Sequence, residues 1–159
     1  MEEKQYKTVK ESQLEQSYVL MTKHINGLGR LFGGQLVAWI DEIAGIVARR
    51  HSKSNVVTAA IDNLVFKAGA ELNDIVVLIA RVTYVGTTSM EIRVDTYVES
   101  IQGIRKIINR AYVVMVAMDE NRKPLLVPGL ILETESERAE WDAGVKRSLL
   151  RKSRKVEGY

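Results

Sequence analysis

Apolar residues recur at three- and four-residue spacing along residues 32–50, and this spacing predicts a helix. They are Leu36, Trp39, Ile40, Ile43 and Val47. The opposite stripe consists of small residues and one carboxylate, that of Asp41. Because the segment is apolar nearly all round and contains no proline, we expect a buried helix about 28 Å long.

The rest of the apolar pattern is typical of strands. The segment 89–100 has the period of two expected of a half-buried strand. Its inner positions are Met90, Ile92, Val94, Thr96 and Val98, which alternate with Glu91, Arg93, Asp95, Tyr97 and Glu99. Other segments rich in β-formers are residues 17–22, 56–67, 75–85 and 104–119. The turns between the last three strands are too short for parallel crossovers, so we expect an antiparallel sheet.

One long apolar helix followed by sequential antiparallel strands predicts an α+β fold, a curved antiparallel sheet wrapped around one long central helix. We expect an N-terminal tail at 1–15, the folded domain at 16–132, and a charged, partly helical basic C-terminal tail at 133–159. A sheet of this kind keeps two free edges, which commonly pair with a second copy. The pattern therefore predicts at least a dimer.

Composition narrows the class of protein. The chain has 159 residues, 46% hydrophobic residues and no cysteine, which excludes disulfides, thiolate zinc sites and a cysteine nucleophile. No apolar run is long enough to cross a bilayer, and the charged N-terminus is unlike a secretory signal, so we interpret the chain as cytoplasmic and without a membrane partner.

The positive charge is concentrated in residues 146–159, which carry six Lys and Arg against one Glu. The rest of the chain is slightly acidic. We interpret the basic segment as a solvated helix end and expect no nucleic-acid partner, although a nucleic-acid binder acting through this tail remains a rival hypothesis.

Common catalytic and cofactor motifs are absent. The sequence has no GxSxG elbow, no HExxH and no phosphate-binding GxxxxGK motif, and His24 and His51 are isolated. We therefore expect no metal site and no hydrolysis by a serine triad or by zinc.

Two glycines at the start of the predicted helix are candidates for binding an oxyanion. No Ser, Thr, Asp or Asn immediately precedes Gly33 and Gly34, so no local side chain is placed to cap the first free amides. Uncapped amides at the positive helix end can polarise a carbonyl group. The alternative is that the two glycines only permit a tight turn or close packing.

A lone carboxylate such as Asp41 is costly to bury in an apolar helix without partners. If water can reach it, Asp41 is the candidate general base or nucleophile. The alternative is a buried salt bridge to Arg81, Arg93 or Arg110. Asp41 lies seven residues after Gly34, about 10 Å along the helix axis, too far for both to contact one carbonyl. We therefore expect Asp41 to face the 26–34 loop of a second subunit.

Several of these segments resemble one family. The run NGLGRLFGG from Asn26, the run WIDEIAG from Trp39, VTAAID from Val57 and VGTTS from Val85 resemble the hotdog-fold acyl-CoA thioesterases, specifically the acyl-CoA hydrolase branch. The resemblance covers residues 17–132. Two departures, Gly69 for a proline and Asn73 for a glycine, affect the loop before the next strand.

The resemblance implies hydrolysis of an acyl-CoA thioester to free acid and CoA, without metal or redox cofactor. It implies that Asp41 is general base or nucleophile, that Asn26 positions the carbonyl or the water, and that the Gly33 and Gly34 amides polarise the thioester oxygen. A non-catalytic acyl-CoA-binding regulatory module is the alternative. Acyl chain length would depend on a tunnel lined by residues such as Leu36, Ile40, Val65 and Phe66.

The same resemblance implies sites built between subunits, in homo-oligomers that are dimers or trimers of dimers, thus hexamers. It places the turn of Gly86, Thr87, Thr88 and Ser89 near CoA, with a plain hairpin turn as the alternative. The phosphates of CoA must meet basic side chains, and candidates in the C-terminal tail are Arg147, Arg151 and Lys152.

Overall fold

Seven strands and two long helices follow one another in the computed structural model, which describes residues 3–62 and 64–159. A short 3₁₀ turn (Thr22–His24) precedes the first long helix. The strands are β1 (Tyr6–Thr8), β2 (Leu14–Val19), β3 (Asn55–Asp62), β4 (Ile75–Val85), β5 (Ser89–Glu99), β6 (Arg105–Met118) and β7 (Gly129–Ile131), and the helices are α1 (Gly33–Ser52) and α2 (Glu135–Glu157).

Five strands form one antiparallel sheet in the order β2-β4-β5-β6-β3. The apolar side of α1 packs against the inner face of this sheet, where alternate residues of the central strands are buried with it. The shared core includes Leu36, Ile40, Ile43, Val47, Leu78, Met90, Ile92, Val94 and Val113. The expected α+β arrangement of one long helix against an antiparallel sheet is confirmed.

Helix α1 begins and ends close to the positions expected from its sequence. Phe32 is the N-cap residue and supplies no side-chain cap, whereas Lys53 ends the helix in the left-handed conformation, with its amide donating to the Arg49 carbonyl. The left-handed C-cap satisfies a terminal carbonyl in place of the next helical turn.

Strand β3 ends earlier than expected. The sequence predicts a strand over 56–67, but the structure ends it at Asp62, and Asn63 lies outside the described residues. A bulge between Thr58 and Ala60 breaks the register with β6. Beyond the strand, the chain is held by the Lys67 amide, which donates to the Ile108 carbonyl. Apolar composition alone did not distinguish this held loop from a strand.

Both chain ends contribute more structure than expected. Strand β1 lies in the segment interpreted as a tail and pairs in parallel with β7. Helix α2 is capped by the Thr134 side chain, which accepts from the Glu137 amide, and it packs on β4. Since the polar residues of β5 face α2 while the apolar residues of β5 face α1, the two helices lie on opposite faces of the sheet.

Candidate active site

The first turn of α1 presents free backbone donors. The Gly33 and Gly34 amides have no hydrogen-bond partner within residues 3–62 and 64–159. A Cβ atom on Gly34 would lie 2.6 Å from the Phe32 ring, and one on Gly33 would lie 3.5 Å from the Phe66 ring. Both interpretations of Gly33 and Gly34 therefore apply: their amides are free to bind an oxyanion, and the absence of side chains makes room for two phenyl rings.

Asn26 organises the loop that leads into α1. Its side-chain oxygen accepts from the amides of Leu28 and Arg30, at 2.9 and 3.2 Å, and its backbone amide donates to the Arg30 carbonyl. Gly29 completes the turn at a φ of 74°, a conformation that favours glycine. With the oxygen occupied in this way, the side-chain NH₂ group of Asn26 has no partner in the described part of the chain.

Asp41 is half-buried and accepts a hydrogen bond from the Thr58 hydroxyl at 2.6 Å. Within residues 3–62 and 64–159 it forms no ion pair. Arg93 and Arg110 bond instead to Asp95. The alternative of a buried salt bridge at Asp41 is therefore wrong.

Thr58 was missed by sequence reasoning. It lies in an exposed part of β3 at the start of the bulge, and its partner is 17 residues earlier in the chain. A hydroxyl in an otherwise apolar strand segment was the signal that could have found it, but only the packing of β3 beside α1 identifies Asp41 as its acceptor.

The site is open on one side in the single chain. Gly34 and Ala38 are exposed on α1 next to half-buried Asp41, and Val57 and Ala59 are exposed on β3. The helical rise still separates Gly34 from Asp41 by about 10 Å. One chain therefore contains two separate groups of candidate residues. Asp41 and Thr58 form the first, and the free amides of Gly33 and Gly34 with the Asn26 loop form the second.

The Gly86, Thr87, Thr88 and Ser89 turn connects β4 to β5 and is tied into the fold. The Gly86 amide donates to the Ser89 carbonyl at 2.9 Å, and the carbonyls of Thr87 and Thr88 accept from the amides of Val127 and Ala117 at 3.0 Å. The turn lies at the end of the sheet where β3 begins, since Ser89 is in register with Val116 and Val116 with Val57.

Arg147 and Arg151 are engaged within the chain. Arg147 donates to Glu91 and Glu140, both at 2.8 Å, and Arg151 donates to Asp62 at 3.0 Å and to Glu91. Glu91 is fully buried, so these guanidinium groups neutralise a carboxylate between α2 and the sheet. Contact with the phosphates of CoA stays a prediction for both, as it does for exposed Lys152.

The same outer face holds further paired charges. Burial by itself would raise the pKa of Asp95, but hydrogen bonds from Arg93 and Arg110 outweigh it and hold the pKa below its usual value. Glu140 behaves alike: burial opposes ionisation, while bonds from Arg93 and other donors lower the pKa. These groups form a cluster that fastens α2 to β5 and β6, on the face opposite to α1.

No group of three His, Asp or Glu side chains is placed to hold a metal ion in the described part of the chain. Among the same residues, neither helix is apolar enough over sufficient length to cross a membrane.

Comparison with known proteins gives consistent matches. The Thioesterase superfamily profile matches residues 28–104. The uncharacterized acyl-CoA thioester hydrolase YkhA of Bacillus subtilis is 36% identical over 156 residues, which are 98% of this chain and 91% of that protein.

Solved structures are similar along almost the whole chain. The acyl-CoA hydrolase of Staphylococcus aureus, in complex with butyryl coenzyme A, coenzyme A and coenzyme A disulfide, superposes with a TM-score of 0.91 at 33% identity, covering 96% of this chain and 94% of that one. An apo-hexameric acyl-CoA thioesterase superposes with a TM-score of 0.91 at 37% identity, covering 94% and 97%.

Variants of the S. aureus enzyme have also been solved. They replace one asparagine, one aspartate and one threonine by alanine, at positions 15 and 17 residues apart. Asn26, Asp41 and Thr58 have the same residue types and the same two separations in this chain.

Proposed function

This chain belongs to the thioesterase superfamily as an acyl-CoA thioester hydrolase, and we propose that Asp41 drives the hydrolysis at a site shared between two subunits. The observation that carries the proposal is the state of Asp41. It is a half-buried carboxylate without an ion-pair partner in the described residues, and a single hydroxyl orients it.

The reaction needs one base and one group that stabilises negative charge. As a general base, Asp41 takes a proton from water while the water oxygen attacks the thioester carbonyl carbon. The carbon–sulfur bond then breaks, and CoA leaves as a thiolate that takes up a proton. In the alternative, the carboxylate attacks the carbonyl directly and water hydrolyses the resulting anhydride. Either route uses only water, carboxylate and amide donors, so the proposal involves no metal or redox cofactor.

We assign the stabilisation of negative charge on the thioester oxygen to the backbone amides at the start of α1. The free amides of Gly33 and Gly34 lie at the positive end of a 20-residue helix, where backbone donors stabilise developing negative charge. The free NH₂ group of Asn26, in the loop just before, is a further donor toward the carbonyl or the attacking water.

Two subunits are needed because these donors and Asp41 are about 10 Å apart along one helix. In the proposed dimer, Asp41 of one chain faces the Asn26 loop and the Gly33 amide of its partner. The exposed apolar stretch of β3, which contains Val57 and Ala59, gives the partner an edge with which to pair. The hexameric relative supports further association of such dimers.

Support for Asn26, Asp41 and Thr58 as one functional set comes from the S. aureus variants, whose substituted positions have matching identities and separations. In this proposal the Thr58 hydroxyl orients the Asp41 carboxylate toward the water. The cytoplasmic location expected from the sequence stays a prediction.

The experiment compares three purified variants across a series of acyl-CoA chain lengths, with a thiol reagent that detects released CoA. Asp41→Asn should lower kcat at least about a hundredfold, the scale of losing a general base. Thr58→Val should cause a smaller loss, about tenfold, as expected from losing one charge-assisted hydrogen bond. Thr58→Ser should retain activity because it keeps the hydroxyl.

Glu42→Gln is the matched control, since it neutralises the next carboxylate in the sequence, which is exposed. It should leave kcat unchanged. Full turnover by Asp41→Asn would refute the assignment. Tight CoA binding without turnover by the wild-type chain would instead favour the regulatory module.

A further inference from the structure

An open groove of about 700 Å³ lies where α1 ends and β3 begins. One side is formed by the last turns of α1 and the connection to β3, and the other by the end of β6 and the loop after it. The lining residues are Ile46, Arg49, Arg50, Lys53, Ser54, Asn55, Met118, Asp119, Glu120 and Leu125.

Three cations in this groove are uncompensated. Arg49, Arg50 and Lys53 are exposed, and none of them forms an ion pair within the described residues. Six arginines of β5, β6 and α2 contrast with them, because each bonds to a carboxylate: Arg93, Arg105, Arg110, Arg147, Arg151 and Arg154. The free guanidinium groups of the groove are therefore available to an anion.

Positive charge at a helix C-terminus also compensates the helix dipole. That role is already filled here, since the Lys7 ammonium donates to the Arg50 carbonyl at 3.2 Å and the Lys53 amide donates to the Arg49 carbonyl. Burial lowers the pKa of Lys7, and the charge of Lys53 lowers it further. The groove thus holds more positive charge than the helix end requires.

The two acidic residues of the groove offset this charge only in part. The Asp119 carboxylate accepts from the amides of Asn121 and Lys123, at 2.8 and 2.9 Å, and so is committed to its own turn. Glu120 is exposed in that turn. Ile46, Met118 and Leu125 give the groove an apolar side suited to an aromatic base or an aliphatic arm.

The distance between the groove and the Asp41 carboxylate matches the length of the pantetheine arm of CoA. Arg49 and Lys53 follow Asp41 by eight and twelve residues on the same helix, about 12 and 18 Å along the axis. The pantetheine arm of CoA, between the sulfur and the diphosphate, contains about as many consecutive bonds as the backbone of four to five amino-acid residues. When extended, it therefore spans roughly 13–18 Å.

We infer that Arg49, Arg50 and Lys53 bind the phosphates of the CoA moiety while its thioester lies at Asp41. This inference rests on the proposed function for the location of the thioester. In it, the pantetheine arm runs along α1 toward its C-terminus, and the nucleotide lies against Ile46, Met118 and Leu125. CoA recognition is thereby separated from the reacting groups and from the cluster beneath α2.

The test uses the full chain with Arg49→Gln/Arg50→Gln and, separately, Lys53→Gln. Free CoA is titrated calorimetrically, and KM and kcat are measured for one acyl-CoA, for its dephospho-CoA analogue and for the corresponding acyl-pantetheine. The double variant should weaken CoA binding and raise KM for acyl-CoA about tenfold, as expected for lost charge-assisted contacts, with kcat unchanged.

Acyl-pantetheine, which lacks the nucleotide, should show the same KM with the wild type and the variants. Raised salt should weaken CoA binding to the wild type more than to the double variant. Lys155→Gln, which removes an exposed cation on α2 away from the groove, is the control for the loss of one positive charge. If the double variant loses its oligomeric state, the single variant Arg49→Gln replaces it in the test.

The outcomes separate this inference from the proposed function. Unchanged CoA affinity in the variants, or an equal KM change with acyl-pantetheine, would overturn the inference while leaving Asp41 chemistry intact. Absence of turnover by the wild type with every thioester would overturn the proposed function, while the CoA titration would still decide the role of the groove. Adenosine 3′,5′-bisphosphate should compete with CoA in the wild type; failure to compete would also count against the inference.

Discussion

Within residues 3–62 and 64–159, Asp41 is held by one short hydrogen bond and by no opposite charge, and this combination matters for its chemistry. An arginine partner would stabilise the ionised carboxylate and make it a poorer proton acceptor. The Thr58 hydroxyl fixes one oxygen at 2.6 Å and leaves the other without a partner in the described residues. The bulge at Thr58 and Ala60 is a device that redirects side chains next to functional sites.

His51 is a buried ionisable residue with a structural role. Its ring is fully buried, Nε2 lies 2.9 Å from the Pro128 carbonyl oxygen, and Nδ1 has no partner in the described part of the chain. Nε2 therefore donates to the carbonyl. Burial lowers the pKa of His51, because the charged ring would lose its hydration.

This pKa shift predicts that the protein becomes less stable in mild acid. As the pH falls below about 6.5, the usual histidine pKa, the unfolded chain binds a proton at His51 more readily than the folded chain does, so protons favour unfolding. The urea midpoint should fall between pH 7.5 and pH 5.5. His51→Gln, which keeps a donor for Pro128 but does not titrate, should show a smaller fall; an equal fall would show that other groups cause it.

At the scale of elements, α2 depends on a close contact at one glycine. Gly144 is the buried residue of this helix, and it lies where α2 crosses Tyr84 and the buried Glu91. A Cβ atom at position 144 would lie 2.6 Å from the Tyr84 Cβ and 3.2 Å from a Glu91 carboxylate oxygen. The missing side chain lets the helix approach closely enough for Arg147 and Arg151 to reach Glu91.

Gly144→Ala should therefore destabilise the protein, although alanine is the better helix former. Overpacking of this kind costs about 1–3 kcal/mol, more than the gain of about 1 kcal/mol in helix propensity. Urea unfolding at fixed protein concentration measures the change, with Ser153→Ala at an exposed position of α2 as control. The kcat of the folded variant should be unchanged, since α2 lies on the other face of the sheet from Asp41; a large loss of kcat would contradict that separation.

The elements differ in how far the sequence predicts them. Helix α1 was predicted almost to its ends, since its apolar spacing reports directly on one buried side. The end of β3 was not, because Val65 and Phe66 have strand-like composition, while the Val65 carbonyl accepts from the Asn109 side chain and the Lys67 amide donates to the Ile108 carbonyl. The pairs of Arg147 with Glu91 and of Thr58 with Asp41 join residues 56 and 17 positions apart; they depend on how helices pack on the sheet, which local pattern does not encode.

In the whole molecule, the two free edges of the sheet are unlike each other. Strand β2 carries Glu15, which pairs with Arg105 of β6, and charge on an edge discourages pairing with another strand. Strand β3 has no charged residue between Asn55 and Asp62 and exposes Val57 and Ala59. It is therefore the edge suited to a second copy, and it is also the strand that carries Thr58.

Complementation between inactive subunits tests whether such pairing completes the site. Asn26→Ala and Asp41→Ala should each be inactive alone. In a mixed dimer, the Asp41 of the first chain meets the Asn26 of the second, so one of the two sites contains only native residues. Random pairing after coexpression should restore about a quarter of the wild-type activity, because half of the dimers are mixed and each has one working site.

If both residues served a site within one chain, every site in the mixture would carry a substitution and coexpression would restore nothing. Asp41→Ala coexpressed with Asp41→Asn is the matched control, because no combination of these chains supplies the carboxylate. Activity in that control would point to residual turnover by the variants, and recovery limited to the Asn26 and Asp41 pair would establish that Asn26 and the carboxylate act across the interface.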